Sequence, residues 1–63
     1  MVERIALREA IDRLPEKERM TILLRYFKSL TQEQTARIVG VSQVQVSRLE
    51  RRGLQRLRES FEA

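Results

Sequence analysis

The chain contains no cysteine and no histidine. Disulfides, thiolate chemistry, imidazole acid–base catalysis and the common zinc sites are all excluded together. No apolar run is long enough to cross a bilayer, and the opening MVERIALREA carries acids and lacks the apolar centre of a signal peptide. Neither membrane insertion nor a cofactor is expected, and the default reading is a chain that works in the cytoplasm. Repeats, low-complexity tracts and linkers are also missing, so residues 1–63 read as one small domain. At that size folding buries only about 60% of the unfolded chain's surface, which leaves no room for a large internal active site. Proline occurs once and glycine twice, and each marks a particular place.

Charge is abundant and uneven. The formal net charge is +4. Between Gln43 and Arg58 stand Arg48, Arg51, Arg52, Arg56 and Arg58 against Glu50 alone, whereas residues 1–40 mix bases and acids. A positive field concentrated at one end of a small domain is the footprint of a surface that meets phosphates, although a solvated arginine face would give the same count.

Leu7, Ile11 and Leu14 recur at helical spacing, which predicts an amphipathic helix from about Val2 to Arg13. Pro15 ends it and can open the next helix at its first position, with Glu16 and Glu18 in the first turn. In that second helix Met20, Leu23, Leu24 and Phe27 form the expected core stripe. Ile22 and Tyr26 fall on another side, either as a partner groove or as packing against the first helix. The carboxylates Glu9, Asp12, Glu16 and Glu18 fall on outward positions with no nucleophile or base beside them, which argues against an enzyme.

The stretch TQEQTARIVGVSQVQVSRLERR, residues 31–52, carries the strongest signal. Thr31 with Gln34, and Ser42 with Gln45, each form the capping-box pattern that starts a helix. Ala36 falls where two helices must approach closely, Gly40 where the chain must turn with positive φ, and Val46 and Leu49 where the second helix needs apolar anchors. Together these describe a helix-turn-helix, and the whole chain an all-α, four-helix domain containing it. On the last helix Val46, Leu49, Gly53 and Leu57 define the buried side, widened by Leu54 and Phe61. Gly53 marks a close contact or a bend, because glycine inside a helix costs about 1 kcal/mol relative to alanine.

A polar helix of this kind fits the DNA major groove, where base edges distinguish all four pairs. Gln43 has the amide geometry for adenine, Arg48 can fork onto guanine, Val44 offers apolar contact to a thymine methyl, and Ser47 is small enough for close approach. Arg51 and Arg52 are better placed for phosphates. Thr31 and Gln32 bring free backbone N–H groups and a positive dipole end to the same task. Arg25 and Arg37 are further phosphate candidates, or solvated surface residues.

The segment LPEKERMTILLRYFKSLTQEQTARIVGVSQVQVSRLERRGLQRLR resembles region 4, the C-terminal domain, of sigma-70-family RNA polymerase sigma factors. The run GVSQVQVSRLE is most similar to the sporulation and general-stress group, particularly the early forespore type. The resemblance implies a domain of a longer protein that recognises the promoter −35 element as duplex DNA while docked on the β flap of core RNA polymerase. It implies base readers at Gln43, Val44, Ser47 and Arg48 and phosphate contacts at Arg25, Thr31 and Gln32. It also implies an apolar docking groove, for which Ile22, Tyr26, Leu54, Leu57 and Phe61 are the candidates. Anti-sigma factors hold some members of the group inactive and are candidate partners. Housekeeping members carry an Arg-Glu pair where this chain has Gln43 and Val44, so a different hexamer is expected. They also commonly carry Ala at the position of Gly53. A monomer is expected. Two other readings stay open: a response-regulator output domain, against which the basic extension after Leu49 argues, and a helical protein-interaction domain without a DNA role, whose binding would be insensitive to salt.

Overall fold

The computed structural model describes residues 2–62, with side chains from Ala6 to Phe61. Helix α1 spans Val2–Asp12 and α2 Glu16–Ile22; a π-helical turn, Leu23–Phe27, continues α2, and α3 (Gln32–Val39) and α4 (Gln43–Glu62) follow. No strand occurs among the described residues, as the all-α reading requires. The domain measures 33 × 19 × 15 Å, and its long dimension is close to the length of α4, about 30 Å at 1.5 Å per residue.

Local chemistry sets most boundaries. The α1 chain closes through the Arg13 and Leu14 N–H groups, which donate to the Glu9, Ala10 and Ile11 carbonyls. Pro15 stands at the N-cap with φ −53 and ψ 147, one residue earlier than the expected first helical position, and its carbonyl accepts from the Arg19 N–H at 2.8 Å. At α3 the Thr31 hydroxyl accepts from the Gln34 N–H at 3.1 Å, while the Gln34 side chain accepts from the Thr31 N–H at 3.0 Å. Ser42 and Gln45 repeat that reciprocal pair at the start of α4. Gly40 takes the left-handed conformation, φ 83, and with Val41 closes α3 onto the Ala36 carbonyl. Both caps and the glycine turn stand where the sequence puts them.

The π turn has no counterpart in the sequence reading. The Lys28 N–H donates to the Leu23 carbonyl at 3.2 Å and the Leu30 N–H to the Leu24 carbonyl at 3.0 Å, and between them Ser29 adopts φ 56. A non-glycine residue in this region is uncommon, with a cost of about 1 kcal/mol or more.

α2 and its π turn lie antiparallel along α4, and the contacts come in three steps. Arg56 Nε donates to Glu18 Oε1 at 2.8 Å, Ile22 meets Gly53, and Arg25 Nε donates to Glu50 Oε1 at 2.8 Å. At the middle step a Cβ on Gly53 would stand 2.9 Å from Ile22 Cγ1 and 3.1 Å from its Cδ1, so the glycine exists for close approach. Ala10, Ile11, Leu14, Ile22 and Leu57 form one buried cluster, and Thr21, Thr35, Ala36 and Val46 are buried beneath the helix-turn-helix.

Several expectations for α2 are overturned. Ile22, at 2% exposure, packs in the core with Ala10 and Ile11 of α1, which decides for packing and against a partner groove, whereas Leu23 and Phe27, expected inside, are exposed, and Met20 and Leu24 are half-buried. Apolar residues occur all round this helix, so periodicity alone does not select a side; the space left by Gly53 does. Glu18 is 5% exposed rather than outward, because Arg56 reaches it. Thr21 is also buried, its hydroxyl satisfied by the Lys17 carbonyl at 2.8 Å. On α4, Leu54 and Phe61 are exposed and do not widen the core. Thr35 was missed as a core residue, and its buried hydroxyl has no partner among the described residues.

Candidate nucleic-acid interface

The first two turns of α4 are held inward by Val46, fully buried, and by half-buried Leu49. With that side fixed, helical spacing turns Gln43, Val44, Ser47, Arg48 and Arg51 outward, and all five are exposed. Val44 is 62% exposed, and so serves no packing purpose within the domain. These five residues, together with Gln32 from the first turn of α3, line one shallow depression that contains no acid. The four candidate base readers and two of the phosphate candidates are thus brought together by two different helices.

A second open depression lies on the other side of α4, lined by Lys17, Val41, Gln45, Arg48, Leu49 and Arg52. It also lacks an acid. Arg48 belongs to both depressions, so its guanidinium stands on the ridge between them. Arg52 is separated from Arg51 and shares its depression with Lys17. Lys17 and Gln45 are absent from the sequence-based candidates; the available signal was that Gln45, Arg48 and Arg52 recur at helical spacing, whereas Lys17 joins only through tertiary packing.

The remaining phosphate candidates divide. Thr31 occupies the N-cap of α3 as expected. Arg37 pairs with Glu33 at 3.1 Å on an open surface, an i,i+4 contact worth little in water. Arg25 is engaged inside the domain. Its Nε donates to Glu50 and its Nη1 donates to the Leu30 carbonyl at 2.7 Å, so two of its donors are already committed. The docking candidates divide as well: Ile22 and Leu57 belong to the core and present no surface to a partner, while Tyr26, Leu54 and Phe61 are exposed.

Glu50 is the one acid on the basic stretch of α4, and both its oxygens are used. Oε1 accepts from Arg25 and Oε2 from the Tyr26 hydroxyl at 3.0 Å. A π turn rotates the chain less per residue than an α turn, which lets consecutive side chains converge on one carboxylate. Burial, the largest influence, raises the Glu50 pKa, but hydrogen bonds from Arg25 and Tyr26, the Arg25 charge and the nearby Gln32 amide outweigh it and hold the carboxyl below its ordinary value. Partial burial, then the hydrogen bond to Glu50 and its negative charge, pushes the Tyr26 hydroxyl above the ordinary tyrosine value against the opposing charge of Arg25.

The geometry is therefore that of a polar, cationic helix presented by a rigid turn, with a helix N-terminus beside it. Such an arrangement can grip phosphates and reach base edges in a groove. No cluster of acidic residues that could hold a metal ion occurs among the described residues.

Comparison with known proteins agrees with this geometry. The family described as "Sigma-70, region 4" matches residues 10–59. The RNA polymerase sigma-F factor of Priestia megaterium is 48% identical over 56 residues, covering 89% of this chain and 22% of that protein. The RNA polymerase sigma factor SigF of Mycobacterium tuberculosis is 49% identical over 59 residues, covering 94% of this chain and 23% of that protein. The RNA polymerase sigma-G factor of Bacillus subtilis is 37% identical over 60 residues, 95% of this chain and 23% of that protein. The chain thus spans less than a quarter of the length of these relatives.

Proposed function

The chain belongs to the sigma-70 region 4 family, of the sporulation type, and on that premise we propose that it reads the promoter −35 element as duplex DNA in transcription initiation. The carrying observation is the convergence of Gln43, Val44, Ser47, Arg48 and Arg51 with Gln32 around one acid-free depression. The start of α4 enters the major groove with Gln43, Val44, Ser47 and Arg48 facing base edges. Thr31 and Gln32 at the N-terminus of α3 hold a phosphate on one side, and Lys17 and Arg52 hold the backbone on the other. Arg51 and the exposed Arg37 add long-range attraction. Gln43 in place of arginine favours adenine, and Val44 cannot accept from cytosine as a glutamate would.

The same reading places the domain on the β flap of RNA polymerase through the exposed apolar residues Tyr26, Leu54 and Phe61, and in the cytoplasm where the polymerase works. No helix among the described residues is long and apolar enough to cross a membrane.

An amide titration with a duplex carrying a candidate −35 hexamer, and with a scrambled duplex, tests the proposal. Shifts should centre on residues 31–32 and 43–52, be larger for the promoter duplex, and weaken with salt. If four to six phosphates are neutralised, log K falls with log salt at a slope of about −4 to −5. Silence at these amides on both duplexes, alongside binding to a flap-tip helix, would move the function to protein docking alone.

A further inference from the structure

Glu50 presents a contradiction on a DNA-facing helix. It follows Gln43 and Ser47 by seven and three residues, so it continues their stripe and borders the next depression with Ser47 and Arg51. A free carboxylate there would repel a phosphate backbone. It is not free: both of its oxygens are bound from the π turn. Arg25 Nε binds Oε1 at 2.8 Å while Arg25 Nη1 holds the Leu30 carbonyl at 2.7 Å. Leu30 immediately precedes Thr31, the cap whose helix offers the phosphate grip. Tyr26 closes the second carboxylate oxygen at 3.0 Å.

We infer that Glu50 is a positioning residue for base readout: through the fork of Arg25 it fixes the start of α3 against the reading turns of α4, and so sets the register in which base contacts and phosphate contacts are made together. The inference rests on the DNA-recognition reading above. Readout needs the two elements spaced to match phosphate and base edge, and a displaced element forfeits bidentate contacts without losing cationic attraction. The fork matters as much as the charge. Arginine presents fixed donors to a carboxylate and a carbonyl at once, which a lysine point charge does not reproduce.

A second ion pair supplies the control. Arg56 binds Glu18 at the same 2.8 Å through the same Nε atom, but at the far end of α2 from the start of α3. Wild type, Glu50→Gln, Arg25→Lys and Arg56→Gln would each be incubated with a pool of duplexes randomised over about ten base pairs, one helical turn, with alternating dI·dC duplex as the non-specific reference. Sequencing of the bound fraction and competition titrations give the selected motif and the ratio of specific to non-specific affinity. Melting curves and amide spectra report folding. Wild type should select a motif. Glu50→Gln and Arg25→Lys should lower the ratio about tenfold, the scale of one lost bidentate base contact, with non-specific affinity kept. Arg56→Gln should lower Tm and leave the ratio unchanged.

Glu50→Gln lowering Tm as Arg56→Gln does, with an unchanged ratio, would overturn the inference and leave a purely structural pair. Arg25→Lys keeping the wild-type ratio would also overturn it, since a point charge would then suffice. A wild-type chain that selects no motif would remove the −35 reading and this inference with it, an outcome set apart by a ratio near one before any substitution.

Discussion

The two ion pairs that tie α2 to α4 share a distance and a donor atom and differ in everything around them. Glu18–Arg56 sinks its acid to 6% side-chain exposure under an arginine that is 56% exposed, and among the described residues the carboxylate has no further hydrogen bond. Arg25–Glu50 is half-buried on both sides, at 27% and 16%, and draws in Tyr26 and the Leu30 carbonyl. The first is a fastener with one partner on each side. The second is a junction where three segments meet: the π turn, the link into α3 and α4. Their polarities are opposite, acid on α2 at one end and base at the other, so an antiparallel α2–α4 contact satisfies both and a reversed one would satisfy neither.

Between the two lies the step that both depend on. Ile22→Ala empties the site facing Gly53 and should cost about 2–4 kcal/mol, the usual range for buried isoleucine. A domain this small rarely has more than about 3–5 kcal/mol to lose, so urea unfolding should find the variant largely unfolded at 37 °C. A loss below about 1 kcal/mol would show that the helices are held by the ion pairs rather than by the close approach.

Arg56→Gln sharpens the contrast directly. It leaves the Glu18 carboxylate buried without its arginine, and should cost about 2 kcal/mol, below the range for a fully buried pair because Arg56 is half in solvent. Arg25→Gln should cost less, because Tyr26 still donates to Glu50. Tm measured on the two variants side by side decides this, and equal losses would deny the junction its extra partners.

The junction at Glu50 also carries an expected response to pH. Glu50 is held below its ordinary 4.5, so its contribution is present above 4.5 and is lost as pH falls through the lower folded value. Tyr26 is raised above 10.0, so its contribution is present below 10.0 and is lost as pH rises through the higher folded value. Glu50→Gln should therefore flatten the acid limb of the Tm profile, and Tyr26→Phe the alkaline limb. An acid limb unchanged in Glu50→Gln would place that titration elsewhere in the domain.

These contacts also show why one half of the chain was legible in its sequence and the other was not. Thr31, Gln34, Gly40, Ser42 and Gln45 act on backbone within a few residues of themselves, so cap and turn chemistry located the helix-turn-helix without tertiary information. Given that turn, Val46 and its spacing fixed which residues of α4 face outward. The inward side of α2 depends on α4 instead. Glu18, Ile22 and Arg25 match Arg56, Gly53 and Glu50 in reverse order, a complementarity of acid, bulk and base that no single-helix periodicity contains. Two polar positions, Glu18 and Thr21, therefore went inside while Leu23 and Phe27 stayed out. The same dependence hid Arg25's commitment to Glu50 and Lys17's place beside Arg52.

Gly53→Ala tests the middle step from the other helix, with a smaller effect. Alanine gains about 1 kcal/mol of helix propensity, but its methyl meets Ile22 Cγ1 and Cδ1 in a packed site where insertion typically costs 1–3 kcal/mol. A net loss of about 1 kcal/mol is expected. It should shrink in an Ile22→Val background, which removes Cδ1, the atom at 3.1 Å. A penalty identical in both backgrounds would show that the methyl is resisted by something other than the isoleucine tip.

The smallest effect belongs to Ser29, in the link that the Arg25 junction anchors through Leu30. Its φ of 56 strains an L side chain, and glycine would remove that strain while adding freedom to the unfolded chain. The two contributions are close in size, so Ser29→Gly should stabilise by only about 0.5 kcal/mol, or a rise in Tm of about 2–4 °C for a domain of this size. Asparagine tolerates the left-handed region without the extra backbone freedom of glycine, so Ser29→Asn should match or exceed it. Because Arg25 Nη1 holds the Leu30 carbonyl at the end of this link, the gain should shrink when the fork is lost: in an Arg25→Gln background the link is free to relax away from the strained conformation, which leaves less strain for glycine to remove. Equal gains in the two backgrounds would mean that the turn holds itself, through the Lys28 and Leu30 N–H bonds to the Leu23 and Leu24 carbonyls, and that the junction acts on α4 alone.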